Sequence, residues 1–432
     1  MSPLQATWIE FRDAVRAFSR PARLYLTTEF LAWVGNGIFS VLFNLYLVEG
    51  GFGKAFVGTA ISSQAVGLAV VALPAGLLAD RWGRRRCLLL GAVLDGTGFV
   101  LRVVSLHPAL IIAASFIAGA GQSMLAIAAA PFLTEHSSPR ERTHLFSCFF
   151  ACALLAGVAG SVLGGLLPHA LLTLPAPWHP STMLAYRIVL LLGSAIVLCG
   201  WLPLSRLKGL VERPVAREHV DVSPAEKRRL FPIALNSALI GLGAGFVIPF
   251  MNLYFKERFD CSSAQIGVFF GIAQVMTACA SLLAPAAARR FGKLRAAVSS
   301  ELLSLPFLVT LGAERQLGIA VGAFWLRATL MQASTPLLQS FVMEALPHNL
   351  RARSTSINNM VWNVGWAVSS TCAGLVIQRL GYAVPFYLTA GLYATAATTF
   401  YIAFRKLPEH AATEVRVSEE AKGQRGEGAV TE

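Results

Sequence analysis

Charge is what this sequence has least of. Only 14% of its 432 residues are Asp, Glu, Lys or Arg, where soluble globular domains carry about 25%. Apolar residues make up 55% of the chain, and the mean hydropathy is +0.60. A soluble fold is thereby excluded and a polytopic membrane protein implied. Cysteine is sparse and scattered: six of the seven lie in or beside apolar segments and only Cys261 falls in a loop, so no disulfide framework is expected. Cys148 and Cys152 share a helix face with no His or acid beside them, which suits packing. No nucleophile motif, His–acid cluster or metal-ligand spacing is present, so neither an enzyme nor a metal or other cofactor is expected. The first 23 residues hold Arg12, Arg16, Arg20 and Arg23 and no long apolar core, so no cleavable signal peptide is expected.

What the chain has instead is long apolar runs. Twelve are long enough to span a bilayer: 24–48, 56–79, 87–106, 109–134, 145–172 and 184–204, then 231–255, 265–288, 295–313, 317–342, 355–379 and 382–404. This predicts five regions. Residues 1–23 form an amphipathic surface helix with Trp8, Phe11, Val15 and Phe18 opposite the arginines; a frayed polar leader is the other reading. Residues 24–204 and 231–404 form two six-helix bundles. A basic linker, 205–230, joins them, with a short helix opening at Ser223-Pro224-Ala225-Glu226. The tail 405–432 lacks an apolar face and reads as disordered. The net charge of +13 would suit nucleic acid, but its distribution excludes that partner. Of 36 Lys and Arg, 28 fall in the termini and even-numbered loops and five in the odd-numbered loops, so both termini are expected in the cytoplasm.

The halves repeat. Gly35-x-Gly37 and Asn44-Leu45-Tyr46-Leu47-x-Glu49 recur as Gly243-x-Gly245 and Asn252-Leu253-Tyr254-Phe255-x-Glu257, at a constant offset of 208. Glu135-x-x-x-Pro139-x-x-Arg142 is echoed by Glu344-x-x-Pro347-x-x-x-Arg351. Three echoes in order, counting the basic turn described next, imply parallel repeats.

Between the second and third spans stands Gly76-x-x-x-Asp80-Arg81-x-Gly83-Arg84-Arg85-Arg86, with a degraded copy, Arg289-Arg290-Phe291-Gly292-Lys293-Leu294-Arg295, between the eighth and ninth. The first copy resembles the loop between helices 2 and 3 of the major facilitator superfamily, with every pattern position present. The resemblance covers residues 24–404 and implies an all-α membrane protein of twelve helices in two pseudo-symmetric bundles around a central cavity. It also implies a conformational latch. Gly76, Asp80, Arg81, Gly83, Arg84 and Arg85, extended by Glu135, Arg142, Glu344 and Arg351, would bridge the bundles in the outward-facing state. The partner of Asp80 would be the start of the eleventh span, Ser354 to Ile357, since a helix N-terminus attracts an anion.

Gly160-Ser161-Val162-Leu163-Gly164-Gly165 in the fifth span resembles the antiporter motif of drug and metabolite exporters, with Ser161 in the proline's place. Close packing is its other explanation. Drug antiporters carry an arginine in the fourth helix; this fourth span has none.

Charges inside spans are few and informative. Asp95 and Arg102 lie on one face of the third span, about 10 Å apart along the axis, and read as an ion pair, two separate contacts or a proton relay. Arg187 and Glu301 are placed near span ends, where each can reach the interface. Helices 1, 4, 7 and 10 line the cavity in the family, which selects Glu29 as a titrating acid and Arg327 as a cation for substrate or counter-ion; a bond to a neighbouring helix is the other reading of Arg327. Asn36, Gln64, Gln122, Ser123, Gln274, Gln332, Asn358, Asn359, Asn363, Trp362 and Trp366 would complete the cavity walls, or serve as glue between helices. The function implied is secondary active transport by alternating access: proton-coupled efflux of a small amphipathic drug or metabolite across a bacterial inner membrane. Substrate, protons and membrane lipids are the partners. Uptake of a small organic anion and a non-transporting sensor or scaffold are the alternatives.

Overall fold

The computed structural model describes residues 18–175, 179–207, 224–346 and 348–405, without the side chains of 139, 140, 143, 224–229, 348, 349 and 351–353. Most of the amphipathic segment 1–23, most of the linker and residues 406–432 of the tail lie outside the described residues. Those described are helical, with no strand among them. The first half comprises α1 (Arg20–Glu49), α2 (Lys54–Trp82), α3 (Arg84–Val104), α4 (Pro108–Glu135), α5 (Pro139–Leu172), α6 (Thr182–Cys199) and the short α7 (Trp201–Ser205). The second comprises α8 (Pro224–Val247), α9 (Met251–Phe259), α10 (Ser263–Phe291), α11 (Lys293–Ala313), α12 (Leu317–Ala345), α13 (His348–Leu380) and α14 (Ala383–Phe404). Ten helical stretches are long and apolar enough to cross a membrane. With α12 and α14, of 29 and 22 residues, they account for the twelve expected spans.

Three boundaries differ from the sequence reading. The sixth span is interrupted at Gly200, dividing α6 from α7. The seventh is interrupted by a 3₁₀ turn at Ile248–Phe250, where Pro249 removes a backbone donor; α9 then continues it to Phe259. The separate linker helix expected at Pro224 is instead the first turn of α8, which runs on through Pro232.

Helix ends carry their own signals. Ser138 and Glu141 form a capping box on α5, and Ser262 and Gln265 form one on α10, each satisfying orphan N–H groups of a first turn. The α2–α3 and α10–α11 turns pivot on Gly83 and Gly292, with φ of 94° and 82°. Both angles are strained for any residue with a Cβ, which explains why the glycine survives in the degraded copy. Glu314 accepts backbone N–H bonds from Arg315 and Gln316, both at 2.8 Å, and these hold its carboxyl below the usual carboxylate range.

Each half packs on itself, and the repeat appears in the packing. Tyr46 donates its hydroxyl to the Val103 carbonyl at 2.9 Å, and Tyr254 donates to Leu311 at 2.7 Å. The repeated tyrosine thus ties the first helix of each bundle to the end of the third. Loops at 50–53, 105–107, 173–175, 179–181, 260–262, 314–316 and 381–382 lie at one end of the molecule, here the far face. The arginine-rich turns and the start of α1 lie at the other, the basic face.

Candidate functional site

The two bundles meet along seams built from small residues. On one seam α5 crosses α10 glycine to glycine: a Cβ on Gly165 would stand 2.9 Å from Gly267 Cα and 2.5 Å from the Ser263 carbonyl oxygen. Ser263 Oγ donates to the Gly165 carbonyl at 3.0 Å, and Gln274 Nε2 donates to Ser161 Oγ at 2.9 Å. On the opposite seam α2 crosses α13. A Cβ on Gly58 would lie 2.3 Å from the Ser370 carbonyl, and one on Gly374 would lie 2.2 Å from that of Lys54. Ser62 Oγ donates to the Ala367 carbonyl, and Thr371 Oγ1 donates to Ser62 Oγ at 2.6 Å.

Near the pseudo-two-fold axis, the repeated asparagines meet. Asn44 Nδ2 donates to Asn252 Oδ1 at 3.1 Å and to the Pro249 carbonyl at 2.6 Å. Asn252 Nδ2 donates to the Ser40 and Val41 carbonyls at 3.2 and 2.9 Å. The Lys54–Glu257 ion pair, 2.6 Å long and half-buried, adds a charged tie beside Tyr382. Burial, then the Glu257 carboxylate, push the Tyr382 phenol well above its usual range. The hydrogen bonds and the ion pair just described between the bundles lie toward the far face. Asn44, Asn252, Lys54 and Glu257 were visible in the sequence only as repeat or loop residues. The signal that could have promoted the asparagines is an amide retained at the same place in both halves.

At the basic face Arg84, Glu135, Arg142 and Glu344 of the expected latch are engaged within their own bundles. Arg84 pairs with Glu135, and Lys293 pairs with Glu344, at matching positions of the two repeats. Arg142 Nη2 reaches back to the Thr134 and Ser137 carbonyls at 3.2 and 3.4 Å, closing the end of α4. Gly76 is buried, Asp80 and Gly83 are half-buried, Arg81 is exposed, and Arg85 is half-buried. The Arg351 side chain lies outside the described residues. Residues 354–357, expected at a helix start, lie more than a turn inside α13, which begins at His348. The partial positive charge of a helix is confined to its first turn, so the end that can attract Asp80 is 348–351.

The polar residues of the first bundle converge. Arg102, 2% exposed, sits against the rings of Phe99, Phe43 and Phe39 at 4.3, 5.2 and 5.3 Å and donates from Nη1 to Gln64 Oε1 at 2.9 Å. Gln64 Nε2 donates to Gln122 Oε1 at 3.0 Å, and Gln122 Nε2 donates to Asn36 Oδ1 at 3.3 Å. Asp95 is 1% exposed. An ion pair with Arg102, one of the three readings, is absent among the described residues. Glu29, nearer the basic face, accepts the Tyr25 hydroxyl at 2.5 Å. Arg187 bonds the Val104 carbonyl at the end of α3.

The second bundle holds its charges differently. Arg327, 4% exposed, extends Nη2 to Tyr393 Oη at 3.3 Å on α14. Glu301 does not reach the interface as the sequence suggested. It is 2% exposed and accepts from Ser334 Oγ at 3.3 Å, because α11 turns that position into the bundle. The Trp362 and Trp366 rings meet at a 31° tilt with centroids 5.0 Å apart. Asn359 and Gln332 are exposed, and Asn358 accepts from Ser237 Oγ at 2.9 Å. Gln274, placed by sequence in the cavity wall, belongs to the α5–α10 seam. Among the described residues, no cluster of metal-ligating side chains occurs.

Comparison with known proteins places this architecture. A family model described as Major Facilitator Superfamily matches residues 25–370 and 233–428. The chain is 33% identical over 157 residues to the 4-hydroxybenzoate transporter PcaK of Pseudomonas putida, a match covering 36% of this chain and 33% of that protein. It is 29% identical over 205 residues to the cephamycin export protein CmcT of Amycolatopsis lactamdurans, covering 47% and 39% respectively. The chain thus spans between a third and two fifths of the length of these two curated relatives. In fold it is similar to a bacterial homologue of the lysosomal transporter Spinster in an inward-facing, occupied conformation: TM-score 0.73, 14% identity, 89% of this chain and 96% of that one. With the model matched across both bundles, the chain belongs to the major facilitator superfamily.

Proposed function

We propose that this transporter works by rocking its two bundles about the cavity, and that it exports a small amphipathic drug or metabolite in exchange for protons. The far-face seams carry the reading. The glycine crossings, the asparagine pair and the Lys54–Glu257 bridge between the bundles sit there, while Glu135 and Glu344 are engaged within their own bundles at the basic face. With the basic face assigned to the cytoplasm from the distribution of Lys and Arg, this is the inward-facing half of the cycle. The glycine stripe of α5, which resembles the exporter motif, packs on α1 and α10 together and so sits where rocking must occur. Buried acids in α1 and α3 supply candidate proton sites.

The test starts with a thermal-shift screen of the purified protein against diverse small molecules, followed by counterflow of the hits in liposomes. In inside-out vesicles with an acidified lumen, an exporter coupled to protons accumulates the hit, and a protonophore abolishes the accumulation. Counterflow indifferent to the gradient removes the coupling; absence of counterflow for every hit removes transport. The match to a 4-hydroxybenzoate transporter favours a second reading, uptake of a small organic anion. That reading predicts accumulation in right-side-out vesicles instead.

Topology has its own check. Native Cys261 is unsuited to labelling because its side chain is only 1% exposed. Gln316→Cys, on the exposed far-face loop, is expected to react with an impermeant thiol reagent in intact cells. Arg86→Cys is expected to react only after lysis, and the reverse pattern would invert the topology.

Asp80→Asn is expected to leave insertion and thermal stability within about 0.5 kcal/mol of the parent, as for other surface changes, yet to impair transport. The latch needs a charge that engages the start of α13 in one state and releases it in the other. Equal transport at equal surface expression would make Asp80 a solvated turn residue.

A further inference from the structure

We propose that Asp95 is the proton-binding carboxyl of the cycle, and that two carboxamides, Gln64 and Gln122, link it to Arg102 and to Asn36. The inference deepens the proton-coupled reading above and rests on it.

Asp95 stands halfway along α3, where an acid is expensive to place. Its Oδ1 has no hydrogen-bond partner among the described residues. Arg102 lies two turns away on the same helix, about 10 Å along the axis, and spends its cation on three phenyl rings and Gln64. What connects the two charges is a line of amides. The donors run in series from the cation, Arg102 to Gln64, Gln64 to Gln122, and Gln122 to Asn36, and Gln122 is the amide of the series that stands beside Asp95. Dipoles aligned in series in a low-dielectric interior reinforce one another. Through Gln122 the polarised line borders the carboxylate without bringing the guanidinium to it.

Other groups face Asp95 less directly. Glu29, with its Tyr25 partner, approaches from α1. From α4, besides Gln122, the backbone of Gly121 abuts the Asp95 amide. From α6, Leu198 packs beside Gly96, and α7 brings Leu204 to the same end of the bundle. Glu29 is the weaker candidate because Oε1 already accepts a short bond from Tyr25.

The step is proton binding. An O–H bond forms at the carboxylate and its charge is lost; release to water at the opposite face reverses it. Neutralising Asp95 removes the anion beside Gln122, and Gln122 and Asn36 are then free to realign. The next residue, Gly37, lies against α5: a Cβ there would stand 2.8 Å from Gly160 Cα. Since α5 also carries the seam with α10, the state of the acid is delivered to a helix that must move.

The test reads the proton without requiring a substrate. The full-length protein in phosphatidylethanolamine–phosphatidylglycerol vesicles is titrated across neutral pH while the infrared carbonyl stretch of protonated carboxyls is followed. The parent is expected to show a band that disappears as pH rises. Asp95→Asn is expected to lose that band, and Glu301→Gln to keep it. Gln122→Leu, which leaves Asp95 in place, is expected to displace its midpoint. This last variant keeps the test decisive if Asp95→Asn fails to fold. A band retained in Asp95→Asn, lost only in Glu29→Gln, or unmoved in Gln122→Leu would overturn the assignment while leaving proton coupling standing. Coupling itself falls separately, if vesicle transport ignores the pH gradient.

Discussion

Gly165→Val is expected to abolish transport while leaving each six-helix bundle folded. The added Cβ would meet the Ser263 carbonyl oxygen at 2.5 Å and Gly267 Cα at 2.9 Å. Both are backbone atoms, so no rotamer change relieves the clash. Because α5 and α10 belong to different bundles, the cheaper relief is separation at the far face rather than unfolding. Overpacking of this kind costs about 1–3 kcal/mol, enough to move the balance between far-face-closed and far-face-open states by about 5–150-fold, at 1.4 kcal/mol per factor of ten. Spin labels at Thr173 and Asp260, both exposed near the far-face ends of the two helices, are expected to report a longer distance. The thermal transition should stay near that of the parent. Gly267→Val meets the same seam from the other side, 2.5 Å from the Ser161 carbonyl, and should behave alike. Gly322→Val is the control, since no atom lies within 4 Å of a Cβ there. A Gly165→Val protein with the parental label distance and normal counterflow would remove this seam from the mechanism.

How much of this could be read from the sequence depended on whether the signal was local or relational. The spans, the parallel repeat and the basic turns were legible because each rests on a run of residues with one physical property. Gly83 and Gly292 stood out because a positive φ leaves few substitutes. The breaks at Gly200 and Ile248–Phe250 were missed because hydropathy is insensitive to a single lost donor. The helix start at His348 was missed because the apolar run opens only at 355, while helical backbone extends beyond it. Burial inside a bundle was the hardest feature to read. Glu301 lies within reach of the interface by residue count, yet its face of α11 turns inward to Ser334. Gln64, Gln122 and Asn36 were each legible as a polar residue of the cavity wall or as glue between helices. Their union into one chain with Arg102 depends on rotations of four helices that no single stretch encodes.

Arg327 separates a binding role from a structural one most sharply, and the expected result follows from its contact with Tyr393. The sequence reading offered a substrate-binding cation or a bond between helices. The guanidinium is 4% exposed and reaches α14, and Tyr393 is itself fully buried against Gly243, where a Cβ would meet the ring at 2.6 Å. Arg327→Ala is therefore expected to lower stability by about 2–5 kcal/mol, the range for emptying a large buried site. Arg327→Met keeps most of the volume and removes a charge that the lipid-embedded bundle must desolvate. Replacing buried ions by apolar residues of similar size is often neutral or better, so this variant is expected to unfold within about 1.5 kcal/mol of the parent and to bind the thermal-shift hits equally well. Arg327→Lys should fall between them, since lysine retains the charge without the planar fork that reaches Tyr393. A structural residue moves the melting transition and spares the affinity of whatever protein remains folded; a substrate-binding residue does the reverse. If Arg327→Met melts like the parent and no longer binds or transports any hit, the cation belongs to the substrate site after all, and Tyr393 is the residue that holds it there.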